Sequence, residues 1–173
     1  MVLKVIFDEN GKIFGAQAVG EAGVDKRIDV IATAIKGNLT VYDLPEIEIT
    51  YAPPFNSAKD PVNIAGYAAE NILKGDLEMV NYDEFWDFVK ENDAVILDVR
   101  TSKEFSGGAI EGAININVDD LRANLEKLDK NKTYAIYCQV GLRGYLANRI
   151  MRNNGFRAVN LNGGYNLWSK VQS

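Results

Sequence analysis

Beyond residue 93 the chain repeats one pattern: a short, almost unbroken apolar run, a polar or reactive residue at its end, then apolar positions at helical spacing. Ala94-Val95-Ile96-Leu97 stops at Asp98, Tyr134-Ala135-Ile136-Tyr137 runs into Cys138, and Ala158-Val159-Asn160-Leu161, a run broken only by Asn160, is followed by Asn162-Gly163-Gly164. Strands this short and this continuously apolar are buried on both faces, which requires a parallel sheet with helices on both sides. The intervening segments supply the helices. Asn81 or Asp83 can cap one that carries Phe85, Trp86 and Val89; a short polar one falls near 102–105, and another passes through Leu121, Leu125 and Leu128. Leu146, Ile150 and Met151 mark a longer helix ending at Asn154-Gly155, and Gly163-Gly164 opens a last one with Trp168. A further strand is expected around 113–116. The class is α/β, and in such sheets chemistry gathers at the carboxyl ends of the strands. Asp98 and Cys138 both stand there, so their loops belong on one edge.

Residues 1–75 follow a different rule. Val2–Phe7 and Lys12–Val19 flank Asp8-Glu9-Asn10-Gly11, the signature of a hairpin. Val24, Ile28, Ile31 and Ile35 recur at helical spacing up to Gly37-Asn38 and give a helix that covers one face of it. Ile47 and Ile49 then alternate as in a strand, and Asp60-Pro61, a cap followed by a first-turn proline, opens a second helix running to about Lys74. This is a small α+β unit. The boundary falls near Leu73-Lys74-Gly75-Asp76, which divides the chain into 1–75 and 76–173.

Composition removes whole classes of chemistry. The 173 residues contain no histidine and one cysteine, so imidazole catalysis, a Cys-His pair and an internal disulfide are impossible, and no metal site is expected. No apolar run approaches the roughly 20 residues of a membrane span, and Met1-Val2-Leu3-Lys4 leads into alternation rather than a signal peptide. A soluble, cytoplasmic protein is expected. Residues 130–173 hold seven basic residues and no acidic one, leaving twelve basic against twenty-four acidic in 1–129. The acidic part argues against nucleic acid as a partner, and the basic stretch surrounds the thiol.

Cys138-Gln139-Val140-Gly141-Leu142-Arg143-Gly144 turns from a buried strand into a helix. Two glycines free its backbone, so that amides at the positive end of the helix can form a nest for an anion, here the thiolate itself. Arg143 is placed to hold an incoming anionic group by its planar fork of donors. The plainer alternative is a small buried hydrophobe at a strand end.

These residues carry a family resemblance. Leu97-Asp98-Val99-Arg100 with Glu104-Phe105, Gly108-Ala109-Ile110-Glu111-Gly112-Ala113-Ile114-Asn115-Ile116, Cys138-x-x-Gly141-x-Arg143, and Gly163-Gly164 with Trp168 resemble the motifs of a rhodanese domain, with Ala109 standing where a histidine is common. The resemblance implies sulfur transfer. Cys138 would take a sulfane sulfur from a small donor as a persulfide and pass it to a thiol acceptor. Gln139, Val140, Gly141, Leu142 and Gly144 would supply the loop, Arg143 would contact the donor, and Asp98 and Arg100 would support the loop or form a structural ion pair. Relatives of the fold include cysteine phosphatases, but four residues separate Cys138 from Arg143, one fewer than in their loops. A non-catalytic sulfur carrier, or an oligomerisation or docking module, is the remaining alternative.

The blocks Gly15–Gly20, Gly23–Ala32 and Tyr51–Asn63 resemble part of the dimerisation domain of pyridine nucleotide-disulfide oxidoreductases, in the branch where a coenzyme A disulfide or persulfide reductase ends in a rhodanese domain. The resemblance implies a homodimer and a role for Tyr51 at the partner subunit's disulfide site. FAD, NAD(P)H and coenzyme A are implied only for a full-length relative. No Gly-x-Gly-x-x-Gly follows a strand in this sequence, so no cofactor is expected in the chain itself and reductase activity is not expected of it alone.

Overall fold

A computed structural model describes residues 1–54 and 56–171. Phe55, inside the Tyr51–Asn63 block, and Gln172 and Ser173 lie outside the described residues. The chain forms two compact units, Met1–Asp76 and Leu77–Ser173.

In the first unit, strands β1 (Val2–Phe7) and β2 (Ile13–Val19) pair antiparallel. The Asp8 carboxylate closes their turn by accepting from the amides of Asn10 and Lys12, at 2.9 Å each. Helix α1 (Val24–Lys36) lays Ile31 and Ala34 against Ile13, with Leu3, Val5 and Phe7 at the margin. Helix α2 (Pro61–Leu73) adds Val62 and Ala69 to the same core. Each fully buried isoleucine or valine among them contributes roughly 1.5 to 3 kcal/mol, and each alanine less. Asp60 starts α2. Its carboxylate accepts from the Val62 amide at 3.0 Å, and the Asn63 side chain accepts from the Asp60 amide at 2.9 Å.

The alternating Ile47–Ile49 segment is not a strand. Leu44–Glu46 forms a 3₁₀ turn, and the carbonyls of Leu44 and Ile47 accept from the Asn63 side-chain amide at 2.9 and 3.0 Å. That amide takes the place of a neighbouring strand.

The second unit runs β3 (Met79–Val80), α3 (Phe85–Glu91), β4 (Val95–Asp98), α4 (Ser102–Ser106), β5 (Ile114–Asn115), α5 (Val118–Asn124), β6 (Thr133–Tyr137), α6 (Leu142–Asn153), β7 (Arg157–Leu161) and α7 (Gly164–Val171). Its five strands make one parallel sheet in the order β3-β7-β6-β4-β5. All five residues of the central β6 are buried. Successive side chains go to opposite faces: Tyr134 and Ile136 pack with Leu121, Ala147 and Met151, whereas Ala135 and Tyr137 pack with Phe85, Ile110 and Leu161.

Details depart from the sequence reading. Neither Asn81 nor Asp83 caps α3. Glu84 occupies that position, and its carboxylate accepts from the Asn81 side-chain Nδ2 at 3.2 Å. The helix through Leu121 ends at Asn124 and tightens into a 3₁₀ turn at Leu125–Lys127, so Leu128 is extended. β3, two residues long, carries too little pattern for sequence reasoning to find.

Asp60 is nearly fully buried and is met by Arg27 Nη2 at 2.7 Å and Asn56 Nδ2 at 2.8 Å. Burial pushes its carboxyl up, but Arg27, the Val62 amide and Asn56 outweigh that and hold it below its ordinary value. Asp60→Ala is expected to cost about 2 to 4 kcal/mol in urea denaturation at neutral pH, because Arg27 loses its partner and α2 its cap. A depressed carboxyl stabilises above its unfolded value and ceases to as pH falls through the folded one. The difference between wild type and variant should therefore narrow below pH about 4; a difference that widens there would contradict this account.

Candidate active site at the strand carboxyl ends

The register of the sheet sets the site. Asp98 at the end of β4 lies opposite Tyr137 at the end of β6, so the residues that follow, Val99-Arg100 and Cys138-Gln139, leave the sheet side by side. The Val99 amide still bonds the Tyr137 carbonyl at 3.0 Å.

Arg100 then folds back on Asp98. Its Nε meets Asp98 Oδ1 and Oδ2 at 3.1 and 3.0 Å, and its Nη2 meets Oδ2 at 2.7 Å. Both side chains are buried, with exposures of 2% and 0%. Burial lowers the Arg100 guanidinium, but Asp98 more than reverses this and holds it above its ordinary value. The remaining donors reach outward: Nη2 to the Gly108 carbonyl at 2.7 Å and Nη1 to Gln139 Oε1 at 3.1 Å. The flat face of the guanidinium lies over the Tyr165 ring, 4.1 Å from its centroid. The Asn115 side chain pins the same turn by donating to the carbonyls of Asp98 and Arg100 at 3.0 and 2.9 Å.

The Cys138 loop is held from both ends. Its sulfur accepts from the Gly141 amide at 3.1 Å. Gly141 has φ 131°, the left-handed side that a side chain disfavours, and is the N-cap residue of α6. The Cys138 and Gln139 carbonyls accept from the Tyr165 and Asn166 amides in the first turn of α7, at 2.8 and 3.0 Å. Gly164 permits this approach: a Cβ there would stand 2.6 Å from the Cys138 carbonyl oxygen, and its φ is 60°. Cys138 itself is 1% exposed and packs with the core on the α5 and α6 side, whereas Val140 and Leu142 are 65% and 68% exposed. The thiol is thus buried, while the two apolar residues of its loop are exposed.

Three expectations need correction. Arg143 does not present an open fork, because Nη1 and Nη2 bind Glu104 Oε2 and Oε1 at 2.8 and 2.6 Å. This guanidinium, with Thr101 behind it, holds the Glu104 carboxyl well below the usual carboxylate range. Glu104 in turn raises the Arg143 guanidinium. Secondly, the basic stretch is not unopposed in space: Arg143 meets Glu104, Arg152 meets Glu78 at 3.1 Å, and Lys132 meets Asp93. Thirdly, Gly144 does not serve to loosen the loop. It sits buried within α6, where a Cβ would lie 2.2 Å from Asn160 Oδ1.

The structure therefore gathers Cys138, Gln139, Val140, Gly141, Leu142, Arg143, Asp98 and Arg100 on one edge. Tyr51 belongs to the first unit and is half exposed. Sequence reasoning passed over Glu104, Gly164 and Tyr165 as site residues. For Glu104 a signal existed: Thr101-x-x-Glu104 is a capping box, and the Thr101 hydroxyl donates to Glu104 Oε2 at 2.8 Å.

Among the described residues no group of three or more His, Cys, Asp or Glu side chains could hold a metal ion, and no helix is long and apolar enough to cross a membrane. The sheet edge that a doubly wound fold would offer a dinucleotide is filled here by the Asp98–Arg100 pair and the Cys138 loop. The described residues do not fit flavin or nicotinamide.

Residues 81–171 match the rhodanese-like domain family, and residues 1–61 match the pyridine nucleotide-disulphide oxidoreductase dimerisation domain. The crystal structure of reduced Bacillus anthracis CoADR-RHD superposes with a TM-score of 0.93 at 50% identity, over 98% of this chain and 30% of that one. A NAD-dependent persulfide reductase from A. fulgidus gives a TM-score of 0.85 at 36% identity, over 96% of this chain and 30% of that one. A coenzyme A disulfide reductase of Staphylococcus haemolyticus is 48% identical over 71 residues, which are 40% of this chain and 16% of that protein. The chain thus spans less than a third of the length of these relatives.

Gly164→Ala is expected to cost about 2 to 4 kcal/mol, since the new methyl group meets backbone at a strained φ. It should also raise hydrogen exchange at the Tyr165 and Asn166 amides. Unchanged stability with unchanged protection of those amides would show that α7 does not brace the loop.

Proposed function

The chain belongs to the rhodanese-like domain family, and from that premise we propose that its second unit is a sulfurtransferase domain in which Cys138 carries sulfane sulfur. One observation supports this above the others: the chain's only thiol stands at a strand carboxyl end and accepts a hydrogen bond from the Gly141 amide at the start of α6. That amide and the positive end of the helix favour negative charge on whichever sulfur occupies the spot.

In the proposed reaction the Cys138 thiolate attacks the outer sulfur of a donor. A sulfur–sulfur bond forms to Cys138, and the bond from that sulfur to the rest of the donor breaks, its electron pair leaving on sulfite or on an alkyl thiolate. The enzyme persulfide then yields its outer sulfur to an acceptor thiolate, which returns Cys138 as thiolate. No redox cofactor takes part. The burial of Cys138 suits a slender group such as a terminal sulfane sulfur, and the exposed apolar Val140 and Leu142 of its loop suit an organic persulfide. Gln139, held by Arg100, and Arg143, held by Glu104, keep the loop in shape. Asp98 and Arg100 have no place in the reaction beyond that support.

The match to a dimerisation domain, together with the exposed Phe14 and Val19 of the hairpin, supports a homodimer. The names of the relatives support a place in coenzyme A disulfide or persulfide metabolism, in a compartment such as the cytoplasm that keeps the thiol reduced. Tyr51 is proposed for the partner-subunit role only in a chain that carries the reductase domains.

Incubation with thiosulfate or glutathione persulfide should add the mass of one sulfur atom to the protein, and a thiol acceptor should remove it with turnover as the acceptor's own persulfide, which a second equivalent of thiol then reduces to sulfide as the two thiols form a disulfide. Cys138→Ser should abolish both, with a loss of at least about 100-fold. Labelling without turnover would instead make the unit a sulfur carrier, and no labelling at all would leave docking or oligomerisation as its role.

A further inference from the structure

We infer that Glu104 sets the donor specificity of the Cys138 site, turning it toward alkyl persulfides of low charge and away from the thiosulfate dianion. The inference rests on the sulfurtransferase reading and deepens it. Both guanidinium groups at the loop are already answered by carboxylates. Arg100 is spent on Asp98 within the core, and Arg143 gives both Nη groups to Glu104. Glu104 is itself pinned, since its Oε2 accepts from the amide and the hydroxyl of Thr101 at 3.0 and 2.8 Å. The charges of these two pairs therefore cancel before any donor arrives, and what faces the thiolate and an incoming anion is the Gly141 amide and the end of α6.

Donors respond differently to such a site. Thiosulfate brings two negative charges to a thiolate and releases a sulfite dianion, so three charges share the loop throughout the transfer. A protonated alkyl persulfide brings none and releases a thiolate, so one charge is shared, and its organic part meets the apolar Val140 and Leu142. An uncompensated guanidinium would favour thiosulfate most. Glu104 removes that advantage.

The test measures kcat/KM with thiosulfate and with 2-hydroxyethyl persulfide, whose alkyl part carries no charge, for the wild type, Glu104→Gln and Glu104→Asp, each checked for native folding by circular dichroism. Glu104→Gln should raise the ratio of thiosulfate to persulfide efficiency by about tenfold at low salt, an increase that shrinks as ionic strength rises. Glu104→Asp, which keeps the charge but not the reach, should stay near the wild-type ratio. In the wild type, thiosulfate efficiency should not fall steeply with salt, a measurement that needs no variant. A ratio unmoved by Glu104→Gln, an equal loss with both donors, or a steep salt-dependent fall in the wild type would overturn the specificity role and leave sulfur transfer standing. A wild-type chain inert to both donors would instead overturn the sulfurtransferase reading, and the specificity role with it.

Discussion

A buried guanidinium has five N–H donors and no capacity to shed its charge, so a fold that encloses one must bring acceptors to it. Arg100 is that group here. Asp98 accepts from Nε and Nη2, the Gly108 carbonyl accepts from Nη2 as well, Gln139 accepts from Nη1, and Tyr165 covers its face. Those partners come from the end of β4, the segment after α4, the Cys138 loop and α7. One enclosed charge thereby ties together four segments, adding to the backbone hydrogen bonds that join the end of β4 to that of β6 and α7 to the Cys138 loop. The Cys138 loop is shaped largely by this demand, with Gly164 letting α7 bond its carbonyls from the other side.

The same economy of charge decides what the site can attract. A stretch of seven cations without an anion reads in one dimension as a positive field around a thiol. In three dimensions three of them, Arg143, Arg152 and Lys132, meet Glu104, Glu78 and Asp93, all supplied by the stretch between residues 78 and 104. The field around Cys138 is consequently one of hydrogen-bond donors and helix orientation more than of net charge, and those act over one contact rather than over a Debye length.

Much of the fold was legible because it follows from local rules. A five-residue strand buried on both faces has to read as Thr133–Tyr137 reads, and the parallel sheet with helices on both faces follows from several such runs. Asp60-Pro61 announces α2 by chemistry confined to a few residues, and the hairpin by the turn at Asp8–Gly11. The departures occur where a long-range partner overrides local pattern. Ile47 gives its carbonyl to Asn63, sixteen residues on, instead of to a strand, and the reason for Gly144 is Asn160 on another element. Glu104 lay in plain view within a helix cap and was still missed as a site residue, because its partner Arg143 is thirty-nine positions away.

Residue order alone determined most of the element types, the α/β class, the single possible nucleophilic thiol and its place at the end of a strand, since periodicity and composition are properties of neighbours along the chain. The tertiary structure alone decided which charges cancel, how deep the sulfur lies and which glycines a close approach requires. Those depend on distances between segments that only packing brings together, and an electrostatic site is defined by such distances rather than by the residues it contains.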